Sequence, residues 1–146
     1  MKFYELILKH KKQNLVCLGI VFILFVIDRI SKNEIINSTT EINKIFINDF
    51  VNFDLVWNTG IGFGLLSSNS TLIYNFITGI IGIVILIITY LLIKSSVTEK
   101  FFFSIILGGA IGNFYDRMIF LAVPDFIDVH FNNFHWFTFN MADIFI

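Results

Sequence analysis

The chain has 146 residues, 56% of them hydrophobic and 14% charged, with 19 Phe and a net charge of −1; its mean hydropathy is +0.81. The length suits one domain, but the composition excludes an ordinary soluble one. The near-neutral charge leaves no footprint for nucleic acid, and the single Cys17 rules out a disulfide framework.

The first apolar run is NLVCLGIVFILFVIDRI, Asn14 to Ile30. A helix needs roughly 20 largely apolar residues to cross a bilayer core, and this run approaches that length. It lacks a small-x-small cleavage site and runs into Asp28-Arg29, so a span is predicted rather than a cleavable signal peptide. Cys17 lies within it as a small packing residue. Asp28 opens D-R-I-S-K, and Lys32 follows one helical turn later. That spacing suits a helix-end ion pair and equally a direct role in a site.

VNFDLVWN, Val51 to Asn58, alternates Val51, Phe53, Leu55 and Trp57 with Asn52, Asp54 and Asn58. A period of two predicts a half-buried strand. NKIFIN before it is its candidate partner, with Asn48-Asp49 near the turn. NTGIGFG, Asn58 to Gly64, then brings three glycines in five residues, a place for close backbone approach.

A second span is predicted over TLIYNFITGIIGIVILIITYLLI, Thr71 to Ile93, and a third over Phe101 to Phe120. The third ends in GGAIGNFYDR. On a helix Asn113, Asp116 and Arg117 stand at i, i+3 and i+4 and share a face, which Gly109 and Gly112 extend inward. Gly108 and Gly112 form a G-x-x-x-G that lets a neighbouring helix approach. LAVPDFIDVHFNNFHWF, Leu121 to Phe137, is expected as a loop or short amphipathic element at the membrane surface, able to act as a mobile flap. Its Asp125, Asp128, His130 and His135 match no metal-ligand spacing, so neither a metal nor a cofactor is expected.

A fourth apolar stretch starts near Trp136 and holds Asn140 and Asp143 at i and i+3. At ~1.5 Å per residue it reaches only about halfway through a core roughly 30 Å thick. The chain is therefore expected to continue past Ile146 in the complete protein, with about ten apolar residues and a short basic tail. Lys2, Lys9, Lys11, Lys12, Lys94 and Lys100 all fall on one side of these spans, which the positive-inside rule assigns to the cytoplasm. Most of the acids fall on the other side.

Asp116 near the outer end of the third span and Asp143 near the outer start of the fourth would meet at one depth. Ionisable groups there are costly and point to function. Two close carboxylates cannot both ionise easily, so one keeps a proton while the other deprotonates water. Such a pair suits hydrolysis of a carbonyl. The alternative is a small proton-coupled carrier using Asp116 and Asp143 as relay acids, and a third is a non-catalytic scaffold.

Five blocks in order then carry a resemblance: D-R-I-S-K at 28 to 32, N-T-G-I-G-F-G at 58 to 64, G-G-A-I-G-N-F-Y-D-R at 108 to 117, P-D-F-I-D at 124 to 128 and F-N-M-A-D at 139 to 143. The chain resembles the signal peptidase II family, the lipoprotein signal peptidases, which are bacterial inner-membrane aspartic proteases. The resemblance implies that Asp116 and Asp143 are the catalytic acids. It places Asn58 with Gly60, Asn113, Arg117 and Asn140 in the lining of the site, Asp28 and Lys32 beside it, and Asp125 close by. It implies no cofactor, and diacylglyceryl-modified prolipoproteins as substrates, cut just before the modified cysteine. Ile61-Gly62 stand where the family usually has paired alanines.

The expected architecture is an all-α polytopic membrane protein forming a single domain over residues 1–146. Four transmembrane helices lie at about 14–30, 71–93, 101–120 and 137–146, the fourth cut short, with a small outer β-cradle between the first two. Membrane lipids are its surroundings, a monomer is its expected state, and the site is expected at the outer face of the inner membrane with the N-terminus in the cytoplasm.

Overall fold

The computed structural model describes residues 10–38, 44–60 and 71–146. Helix α1 spans Lys11–Ser38, and strands β1 (Lys44–Asn48) and β2 (Val51–Asn58) follow. Helices α2 (Thr71–Lys94) and α3 (Val97–Phe120) come next, then β3 (Val123–Phe131), β4 (Phe134–His135) and the short α4 (Met141–Phe145). Of the glycine-rich block only Asn58 to Gly60 lie within the described residues; Ile61-Gly62 lie outside them, as do Lys2 and Lys9.

The surface is turned inside out. Leu15, Phe22, Leu72 and Leu86 are each more than three-fifths exposed, while Asp28, Lys32, Asp116 and Asn140 are fully buried. A soluble protein buries the first kind and solvates the second; lipid is the solvent that suits this arrangement. α1 and α2 are long and apolar enough to cross a membrane. α3 is as long as α2 but carries the polar face. An apolar core of Cys17, Leu92 and Leu107 joins the three helices at one end, as expected of Cys17.

Local chemistry sets the boundaries. Glu99 Oε2 accepts from Ser96 N at 2.8 Å, closing the start of α3. Leu121 in the left-handed region (φ 54) ends it and turns the chain into β3. The fourth helix is shorter than expected. It begins at Met141, because the Asn140 side chain accepts from Asp143 N and Asp143 Oδ2 accepts from Asn140 N. The residues before it are drawn into strand pairing instead, with Phe139 bridged to Ile127 and Trp136 N donating to Val129 O.

The segment from Leu121 to Phe137 is thus no loop or free flap but largely a strand. β3 pairs antiparallel with β2 in a sheet ordered β1-β2-β3-β4. Its buried acids, Asp125 and Asp128, hid the alternation that marks a strand. β1 and β2 pair as expected (Ile45 opposite Phe53), and Asn48 Oδ1 accepts from Phe50 N and Val51 N in the turn. The alternation of β2 does not hold as expected, however: Asn52 and Asn58 are buried, whereas Trp57 of the apolar set is exposed. An irregularity between Phe53 and Val56 shifts the register, and polar partners on β3 draw the two asparagines inward.

The glycines of α3 allow close approach on two sides. A Cβ on Gly108 would stand 2.9 Å from Leu24 Cβ of α1, and one on Gly112 would stand 2.6 Å from Asp28 Oδ2. A Cβ on Gly109 would meet the backbone of Ala142 in α4. Gly109→Ala is expected to cost about 1–3 kcal/mol of stability by overpacking. Gly79→Ala, with nothing within 4 Å of the added carbon, is expected to be neutral or stabilising. Thermal unfolding in detergent distinguishes the two.

Candidate active site

Lys32, one turn beyond Asp28 on α1, is the hub of the buried polar layer. Its ammonium donates to Asp28 Oδ2 at 2.9 Å, Asn113 Oδ1 at 2.8 Å and Asp116 Oδ2 at 2.7 Å. An ammonium has three protons, so every one is used. Arg29 adds a second cation, 2.6 Å from Asp116 Oδ1 and 3.1 Å from Asp28 Oδ2. Two acids and two bases make the cluster neutral, which burial demands. Asp28 Oδ1 also accepts from Ala142 N at 3.1 Å, satisfying an otherwise unpaired donor in the first turn of α4. The i, i+4 ion pair expected of Asp28 and Lys32 is present, and it links three helices.

Asn113 carries the layer to the next acid. Its Oδ1 accepts from Lys32, and its Nδ2 donates to Asp143 Oδ1 at 2.8 Å. Asn140 N donates to Asp143 Oδ2 at 3.0 Å, and Asn140 Nδ2 donates to Asp125 Oδ1 at 2.5 Å. Asn58 Nδ2 holds the other Asp125 oxygen at 2.8 Å, and Asn58 Oδ1 accepts from Gly60 N at 2.8 Å. Arg117 donates to Gly60 O. Its backbone carbonyl accepts from Tyr74 OH at 3.1 Å, and its guanidinium lies over the Tyr74 ring.

The residues expected at the site therefore come together, but their pairing differs. Asp116 is fully buried and held by Arg29 and Lys32. The acids that line a common cavity are Asp125 and Asp143. The expected pairing of Asp116 with Asp143 is corrected on this point. Two cations of α1 reach Asp116 first, while β3 and Asn140 carry Asp125 to Asp143. The cavity measures about 430 Å³. Ile81, Val84, Ile85 and Ile88 form an apolar stripe of α2 along it, and Asn58, Asn113 and Arg117 join the acids at its polar end.

Burial first, and then the charge of Asp143, push Asp125 up to about 6, against the hydrogen bonds from Asn58 and Asn140 that pull it down. Asp128, on the same strand, goes the other way: burial raises it, but hydrogen bonds from His135 and Asn52 outweigh that and hold it below the usual carboxylate value. Of the metal-type residues, Asp125 belongs to the cavity, whereas Asp128, His130 and His135 cluster apart. Arg29 and Tyr74 were missed in the sequence. Arg29 could have been found from its place beside Asp28 in an apolar run; Tyr74 left no signal.

Among known proteins, a family model described as signal peptidase (SPase) II matches residues 20–146. The lipoprotein signal peptidase of Pelagibacter ubique is 47% identical over 142 residues, covering 95% of this chain and 83% of that one. That of Francisella tularensis subsp. novicida is 44% identical over 107 residues, covering 68% of this chain and 65% of that one. A solved structure described as a bacterial membrane enzyme superposes with a TM-score of 0.75 at 28% identity, covering 89% of this chain and 79% of that one.

Removing Lys32 leaves Asp28 and Asp116 buried with half their compensation. Lys32→Met is expected to cost about 3–5 kcal/mol, measured by thermal or denaturant unfolding. The raised Asp125 gives a pH dependence of defined sign. The folded state binds its proton more tightly, so this contribution to stability is complete below 3.8 and is lost as pH rises through about 6. The full span corresponds to about 3 kcal/mol. Asp125→Asn, which mimics the protonated acid, is expected to flatten the melting temperature across that range.

Proposed function

The chain belongs to the signal peptidase II family, and from that premise we propose how it removes the signal peptide from prolipoproteins. Asp125 and Asp143 are the catalytic acids. The observation that carries this assignment is that both line one cavity beneath an apolar stripe, bridged by Asn140, while Asp116 is sealed behind Lys32 and Arg29.

Asp143 begins ionised and Asp125 protonated, in keeping with the raised value of Asp125. Asp143 takes a proton from water as its oxygen attacks the scissile carbonyl carbon, and Asp125 gives its proton to the carbonyl oxygen. In the resulting gem-diol the C–N bond breaks. Asp143 passes its proton to the leaving nitrogen, and a diol hydroxyl returns one to Asp125. A new carboxyl group and a free amine leave, and both acids regain their starting states.

The apolar stripe of α2 suits acyl chains that remain in lipid, holding the bond before a diacylglyceryl-modified cysteine at the polar end; such positioning supplies much of the rate. Arg117 Nη1 is buried without a hydrogen-bond partner among the described residues, which supports a grip on the substrate backbone. A monomer is part of this reading. Four membrane crossings are also part of it, α3 being the third and the five-residue α4 lying on the course of the fourth. So are a cytoplasmic N-terminus and a site near the outer face of the inner membrane. Trp57, Trp136 and Phe137 are exposed on the sheet side, which supports an interfacial belt there.

Incubation of the purified protein with a diacylglyceryl-modified prolipoprotein tests this scheme through release of the signal peptide. Asp125→Asn and Asp143→Asn are each expected to slow turnover by roughly a thousandfold while the fold persists. Asp116→Asn is expected to lose stability but to keep measurable turnover per folded molecule. An inactive, well-folded Asp116→Asn beside an active Asp125→Asn would restore Asp116 to the pair.

A further inference from the structure

The sheet carries a second cluster that the cleavage chemistry does not use. Asn132 (φ 51) makes the turn between β3 and β4, a conformation Asn tolerates well. The hairpin sets His130 directly opposite His135, and their rings stack with centroids 5.1 Å apart. Asp128 lies two residues before His130 and so on the same face of β3. Asp128 Oδ1 is 2.8 Å from His135 Nδ1. One donor atom from each of Asp128, His130 and His135 lies within 4.8 Å of the other two.

A second observation points to a ligand. Asn52, opposite Asp128 on β2, is 4% exposed. Its Nδ2 is 3.3 Å from His130 Nδ1 and 3.5 Å from Asp128 Oδ2, yet its Oδ1 is buried with no hydrogen-bond partner among the described residues. A half-turn of that amide presents the oxygen to the three donors.

We propose that Asp128, His130 and His135, with Asn52 Oδ1 as a fourth oxygen, form a site for a divalent cation of the zinc type on the sheet. Two imidazoles and a carboxylate suit Zn²⁺ in tetrahedral geometry. Bonds of about 2.0–2.1 Å require donors roughly 3.3 Å apart; His135, whose side chain is 46% exposed, is free to close that gap. The carboxylate already attracts cations, with Lys44 Nζ 3.6 Å from Asp128 Oδ2. That Lys44 side chain is 47% exposed and can swing aside. The role is structural. A bound cation ties the two-residue β4 to β3 just ahead of Phe139 and Asn140, and so steadies the chain that delivers Asp143. The interleaved spacing of these residues hid the set, because register across a hairpin, not separation along the chain, brings them together.

The test is titration of ZnCl₂ into the purified, tag-free, chelator-stripped protein in detergent, by calorimetry, with Co²⁺ absorption reporting coordination geometry. One Zn²⁺ per chain is expected, with tetrahedral Co²⁺ bands. Affinity should fall at least about tenfold in His130→Ala and in His135→Gln, and stay unchanged in Asp125→Asn. Zn²⁺ should also slow proteolysis near Phe134 to Phe137 in the wild type and in Asp125→Asn, but in neither histidine variant. Absence of stoichiometric binding would overturn the proposal. So would binding that survives His135→Gln in a protein whose melting shows it folded, since the cation would then sit elsewhere.

Discussion

The polar layer at the active site hangs on the ammonium of Lys32. Three acceptors from α1 and α3 surround it at 2.7–2.9 Å. A buried ion cluster gains little net stability over a well-packed apolar one, but losing one member is costly. Its value here is positional. Through Asn113 it sets Asp143, and through Asp28 it sets the first turn of α4. The glycines of α3 make that possible, since Asp28 Oδ2 occupies the space a side chain at Gly112 would fill.

The sheet does for Asp125 what the helices do for Asp143. β3 runs between β2 and the chain leading to α4, so Asn58 on one side and Asn140 on the other each hold one carboxylate oxygen. Asn140 also caps α4 and contacts Asp143 through its backbone. One residue therefore serves as helix cap, bridge and spacer. This is also why α4 starts where it does: an earlier start would pull Asn140 away from both acids.

Apolar side chains face outward and charged ones inward, so the usual sign of the hydrophobic argument is reversed. In lipid, van der Waals packing and satisfied polar groups hold helices together, which explains why α3 presents glycines and ions to its neighbours beside apolar residues such as Leu107. The conformational cost of ordering the polar layer is met by completeness, since most of its donors and acceptors find partners.

Sequence alone located α2 and α3 within four residues of their ends, while α1 runs eight residues past its expected end; it also marked the polar face of Asn113, Asp116 and Arg117, the close-packing glycines, the β1–β2 hairpin and the Asn140–Asp143 spacing. Each of these depends on neighbours three or four residues apart on a helix, two apart on a strand, or joined by a tight turn. Only the folded chain settled which acid lies by Asp143, which side chains of β2 are buried, and that the segment after α3 is a strand. Those outcomes rest on contacts between distant residues, such as Asn58 with Asp125, 67 positions apart. Periodicity assigns a side chain to a face. It leaves open what that face meets, because the register between separate segments is set by all of their partners at once.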